Sequence, residues 1–127
     1  MEKPQQLNPA TLAFMGDGVY TLLVREKLCE ISRPSGELHS LSVKLVNATA
    51  QAKSFKLIEP LLTETELSVF KRGRNAHTNS TPKNSTNGEY HTATGLETLF
   101  GFLYLGGQTE RIKELFSVIW SDFSDKI

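Results

Sequence analysis

The sequence predicts an all-α helical bundle, read as one domain over residues 1–127. Three observations carry that expectation. No segment alternates apolar and polar residues with period two for long enough to make a strand. Apolar residues recur instead at steps of three and four. Helix-start and helix-stop residues punctuate those stretches, at Asn8-Pro9, Thr63 to Glu66 and Gly106-Gly107.

In chain order, Asn8 is an N-cap and Pro9 takes the first helical position, where its missing N–H has no intrahelical partner to lose. Leu12, Met15, Val19, Leu22 and Leu23 then form an apolar stripe, and Arg33-Pro34-Ser35-Gly36 breaks the helix. A second helix carries Leu38, Leu41, Leu45, Ala48, Ala52 and Phe55 and ends before Pro60. Thr63-Glu64-Thr65-Glu66 fits a capping box that opens a short third helix through Leu67 and Phe70, with a stop at Gly73. Asn75 to Glu89, rich in Asn, Ser, Thr, Pro and Gly, is expected to be a loop, of a length that is often functional. Leu96 to Leu105 is apolar on every side, as a buried central helix would be, and Gly106-Gly107 ends it. A last amphipathic helix carries Ile112, Leu115, Phe116, Ile119 and Phe123.

The composition, 39% hydrophobic and 22% charged, is that of a globular chain. With no apolar run of membrane-spanning length and no basic-then-apolar start, a cytoplasmic protein without a membrane partner is expected. Cys29 is the single cysteine, so it forms no internal disulfide and builds no thiolate metal site alone; a reduced compartment fits. The sequons at Asn47, Asn79 and Asn84 are then accidents of composition. Fourteen basic and fourteen acidic residues cancel, but unevenly. From Ser68 to Gly88 the chain has Lys71, Arg72, Arg74 and Lys83 and no acid, leaving a net −4 on the rest. That is the footprint of a surface for a polyanion, and equally that of a solvated basic loop.

Two carboxylates stand out. Asp17 lies between Gly16 and Gly18, and Glu97 sits at the start of the all-apolar stretch with Gly101 one turn later. Buried carboxylates require a cation, a donor or a proton. Glycine inside a helix costs roughly 0.5–1 kcal/mol relative to alanine and so points to close approach of another helix or a ligand. Two closely packed glycine-bearing helices would present Asp17 and Glu97 to one site, and an all-carboxylate set suits Mg²⁺ or Mn²⁺. Two plainer roles remain open: Thr94-x-x-Glu97 is itself a capping-box pattern, and Asp17 could pair with a Lys or Arg at a helix edge. His39, His77 and His91 lack metal-ligand spacing, and Gly16-x-Gly18 lacks the third glycine and the preceding strand of a phosphate loop.

LAFMGDGVY resembles the signature of the ribonuclease III catalytic domain, and more closely that of its Mini-ribonuclease III branch. KRGRNAHTNSTPKN followed by TGLETLFGFLYLGG resembles the second half of that branch, in the expected order, over Leu7 to Glu114. The resemblance implies a ribonuclease III-like bundle that is a homodimer and has no separate RNA-binding domain. It also implies Mg²⁺-dependent cleavage of double-stranded RNA, in maturation of the 23S ribosomal RNA precursor. Carried over, Asp17 matches the signature aspartate and Glu97 the late catalytic glutamate, both as metal ligands. Where full-length relatives have three further acids, this chain has Ala10, Ala13 and Thr94, so how many ions bind is open. Lys71, Arg72, Arg74 and Lys83 are the expected RNA contacts. The rival expectations are a catalytically inactive RNA-binding scaffold of the same fold, and a helical protein-interaction module.

Overall fold

The computed structural model describes residues 3–76 and 86–127. The helices are α1 (Pro9–Leu28), α2 (Ser35–Val46), α3 (Ala48–Ile58), α4 (Glu64–Arg74), α5 (Asn87–Leu105) and α6 (Thr109–Ser124). Short 3₁₀ turns stand at Pro4–Gln6 and Glu59–Leu61, and no strand occurs among the described residues. The all-α expectation holds. Among the same residues no helix is long and apolar enough to cross a membrane.

Local signals explain most helix ends. Asn8 Oδ1 accepts the Thr11 N–H at 2.8 Å, with Pro9 behind it. The Thr63–Glu66 capping box is complete, with the Glu66 N–H donating to Thr63 Oγ1 at 3.1 Å and the Thr63 N–H to Glu66 Oε1 at 2.9 Å. The chain leaves α5 at Gly106 and turns at Gly107, whose φ of 73° suits glycine.

Four expectations need correction. The second helix is two helices, because Asn47 leaves helical geometry (ψ 161°). Its amide caps both: Nδ2 donates to the carbonyls of Val43 and Lys44, and Oδ1 accepts the Ala50 N–H. Gly73 does not stop α4, which runs to Arg74; it lets α4 press on α5, where a Cβ would collide with the Thr98 hydroxyl. The polar stretch expected to be a loop as far as Glu89 already opens α5 with a capping box between Thr86 and Glu89. Residues 77–85 of that stretch lie outside the described residues. Finally, Leu22 points to solvent, 57% exposed, rather than into the stripe.

The core forms around α5, packed by α1, α3 and α4. Leu12, Tyr20, Val24, Leu96, Leu99 and Phe100 are fully buried. Tyr20 meets Phe100 and Phe116 edge-on at 5.5 and 5.7 Å, and Phe55 of α3 stacks on Phe70 of α4 at 3.7 Å. An ion pair between half-buried Arg111 and buried Glu66 ties α4 to α6. Arg111 donates to both carboxylate oxygens of Glu66, at 2.8 and 2.9 Å, and to the Leu61 carbonyl at 2.7 Å. The Arg111 hydrogen bond, with those from Thr63, holds the Glu66 carboxyl below its usual range against the opposing effect of burial.

Candidate active site

α1 buries Leu12, Gly16, Val19 and Tyr20, the i, i+4, i+7, i+8 face, against α5. At the crossing the two backbones touch. A Cβ on Gly16 would collide with the carbonyl of Glu97, and one on Gly101 with the carbonyl of Leu12. The glycines therefore allow an approach that no other residue permits. Asp17 follows Gly16 directly, and Glu97 is itself the α5 side of the contact, so the helix crossing sets both carboxyl groups at one place.

Their environments differ. Glu97 is partly buried, and its carboxyl is pushed up to about 8 by that burial first, then by the negative charge of Asp17 and a hydrogen bond with it. The Gln51 side chain opposes the shift. Asp17 is exposed, contrary to the expectation of two buried acids. It projects one residue beyond the contact face, beside Gly18, where added atoms would meet nothing within 4 Å.

The plainer roles do not fit. Glu97 lies in the middle of α5, far from the Thr86–Glu89 cap, while Thr94 Oγ1 donates to the Tyr90 carbonyl at 3.0 Å. Among the described residues Asp17 forms no ion pair with Lys or Arg.

Two residues at the site went unnoticed in the sequence. Gln51 of α3 is 3% exposed; its Nε2 donates to the Val46 carbonyl at 2.9 Å and lies 3.5 Å from Glu97 Oε2. Tyr20 has its phenol pushed up to about 12, chiefly by burial, with the charge of Glu97 adding to it. Its hydroxyl faces Ser54 closely enough to be influenced, without a hydrogen bond of normal geometry. The available signal was helical spacing: Gln51 follows Ala48 by three, and Tyr20 follows Gly16 by four.

Among the described residues the donor set is two carboxylates. Among the described residues no group of three or more His, Cys, Asp or Glu could hold a metal, and Ala10, Ala13 and Thr94 add no carboxylate. Like charges crowded at a half-buried place are relieved by a divalent cation. Oxygen-only ligands in this number suit Mg²⁺ or Mn²⁺, which leaves its other positions to water and phosphate oxygens.

Three of the expected basic residues stand on α4. Lys71, Arg72 and Arg74 are exposed on the last turns of α4. Arg72 donates to the Leu7 carbonyl at 3.3 Å, and Arg74 stands 5.6 Å from the Phe70 ring centre and donates to Asn75 Oδ1. None of the three figures in the electrostatics of Glu97. Lys83 and His77 lie outside the described residues. His39 is exposed and His91 half-buried.

The ribonuclease III domain model matches residues 10–108, a span that includes Asp17 and Glu97. The chain is similar to the Mini-ribonuclease 3 of Thermoanaerobacter, 46% identical over 110 residues, which cover 86% of this chain and 78% of the relative. It is also similar to that of Symbiobacterium thermophilum, 41% identical over 127 residues, covering 99% and 97%. A crystal structure of a Fusobacterium nucleatum protein superimposes with a TM-score of 0.87 at 28% identity, over 96% of this chain and 98% of that one.

Proposed function

The chain belongs to the Mini-ribonuclease 3 family of the ribonuclease III domain and is an endoribonuclease; on that premise we propose that it hydrolyses double-stranded RNA at the Asp17–Glu97 pair, with Mg²⁺ or Mn²⁺. The observation that carries the assignment is the glycine crossing, which brings a solvent-facing and a half-buried carboxyl together and raises the second to about 8. When bound there, the ion would activate water and neutralise charge at the scissile phosphate. Asp17 reaches it from the exposed rim. Glu97 holds it from the protein side, where partial burial strengthens the attraction to a cation. Water and phosphate oxygens would complete its coordination.

Residues 1–127 act as one catalytic unit. A two-fold homodimer would present two such sites, one for each strand, leaving 5′-phosphate and 3′-hydroxyl ends. Lys71, Arg72, Arg74 and Lys83 supply phosphate contacts, and A-form RNA is recognised through its backbone rather than its base edges. The cellular substrate that fits the family resemblance is the 23S ribosomal RNA precursor, in the cytoplasm. Incubating the protein with a perfect RNA duplex, in Mg²⁺ or in EDTA, tests the proposal. Fragments that form only with Mg²⁺ support it; duplex bound but uncut in Mg²⁺ means an inactive scaffold.

A further inference from the structure

Gln51 is a buried amide in the interior of a helix whose other inward residues are apolar or small. Burying an amide is unfavourable unless its hydrogen-bonding groups are matched. Here only half are. Nε2 is matched, whereas Oε1 is buried without a partner. A buried unsatisfied acceptor is destabilising, and a methionine or leucine of similar size would avoid it at the loss of the bond to Val46. The bond to Val46 offsets the unmatched Oε1, so stability alone gives glutamine little advantage over an apolar residue at this position.

The break between α2 and α3 supplies what the amide needs. Because Asn47 leaves the helix, the Val46 carbonyl ends α2 and accepts Gln51 Nε2 at 2.9 Å. A carbonyl only accepts, so this contact settles which end of the amide is nitrogen and turns its second hydrogen toward Glu97 Oε2, 3.5 Å away. At that length the contact orients more than it binds.

We infer that Gln51 is a positioning residue: anchored by the terminal carbonyl of α2, its amide holds the Glu97 carboxylate toward Asp17, in the arrangement that receives a divalent cation. This rests on the proposed role of the Asp17–Glu97 pair. Partners that orient metal-binding side chains typically contribute 10–100-fold in metal affinity or activity. The long contact here places Gln51 at the lower end, about tenfold.

The test compares the parent with Gln51→Met and Gln51→Leu, which keep volume and remove the donor. Three quantities are read: the melting temperature in EDTA, the affinity for Mn²⁺ alone by calorimetry, and single-turnover cleavage of an RNA duplex across a Mg²⁺ titration. Expected are a melting temperature little changed, Mn²⁺ affinity about tenfold weaker, and cleavage that is slow at low Mg²⁺ and recovers at high Mg²⁺. Parental Mn²⁺ affinity and Mg²⁺ dependence in either folded variant overturns the inference. So does loss of fold in both, which assigns Gln51 to packing. A parent that neither binds Mn²⁺ nor cuts duplex RNA overturns the proposed function itself, a result distinct from the failure of Gln51 alone.

Discussion

Replacing Gly16 by alanine should destabilise the protein by at least about 2 kcal/mol, while Gly18→Ala, two residues along the same helix, should stabilise it by about 0.5–1 kcal/mol. Both glycines have ordinary negative φ, so alanine suits the backbone at either place. At Gly18 the new methyl meets nothing within 4 Å, and only the helix-propensity gain remains. At Gly16 it would overlap the carbonyl of Glu97 and crowd the Gly101 amide. These are backbone atoms that cannot rotate away, so the two helices must separate. Overpacking costs about 1–3 kcal/mol where side chains can yield, and backbone overlap belongs at or above the top of that range, less the propensity gain. At about 2.1 cal/mol/K per residue of unfolding entropy, 2 kcal/mol is a fall of about 7 °C for a chain of this length, against a rise of about 2–4 °C at Gly18. Thermal melts followed by circular dichroism read both. A Gly16→Ala melting temperature at or above the parent would refute the direct helix contact on which the site depends.

Arg111→Met leaves Glu66 buried without its partner and should cost about 3 kcal/mol in a urea titration; a loss below about 1 kcal/mol would reduce the pair to an ordinary surface bridge. Glu97 titrates at about 8 in the folded chain against 4.5 for the unperturbed group, so the folded state holds an extra proton between those values. Metal-free stability from this group is therefore present at low pH and falls as pH rises from about 5 to about 8. Glu97→Gln should flatten that slope in EDTA, and parallel slopes would contradict it. Arg72 and Arg74 replaced together by Ala should weaken duplex binding at all sequences alike and reduce the salt slope by roughly 1–2. An unchanged slope would move the RNA surface elsewhere.

The helix ends that were legible are those written in local chemistry. Asn8-Pro9 and the Thr63–Glu66 box work through groups within a few residues, and the structure has both. The break at Asn47 was hidden because Leu45, Ala48 and Ala52 keep helical spacing straight across it; only the Asn47 amide marks the interruption. The start of α5 was hidden for the opposite reason. The Thr86–Glu89 box opens onto a polar turn, while Thr94 and Glu97 imitate a cap in the middle of the helix. Gly16 beside Asp17 and Gly101 one turn after Glu97 did signal the α1–α5 crossing. The exposure of Asp17 and the approach of Gln51 depend on where α1 and α3 lie about α5, a tertiary fact that spacing along one helix does not contain.

In the proposed function Asp17 and Glu97 together perform metal-dependent cleavage. Single-turnover cutting of a perfect RNA duplex in Mg²⁺ by Glu97→Gln, with Asp17→Asn alongside, puts that pairing to the test. Each substitution keeps shape and removes a charged ligand, so each should cut at least about 10²-fold more slowly than the parent. The melting temperature of Glu97→Gln in EDTA should stay level near neutral pH, where Glu97 already holds its proton, and exceed the parent's above about pH 8, where the parent's half-buried acid is charged beside Asp17. Cleavage by Glu97→Gln within a few-fold of the parent, at the same Mg²⁺ concentration, would contradict the claim.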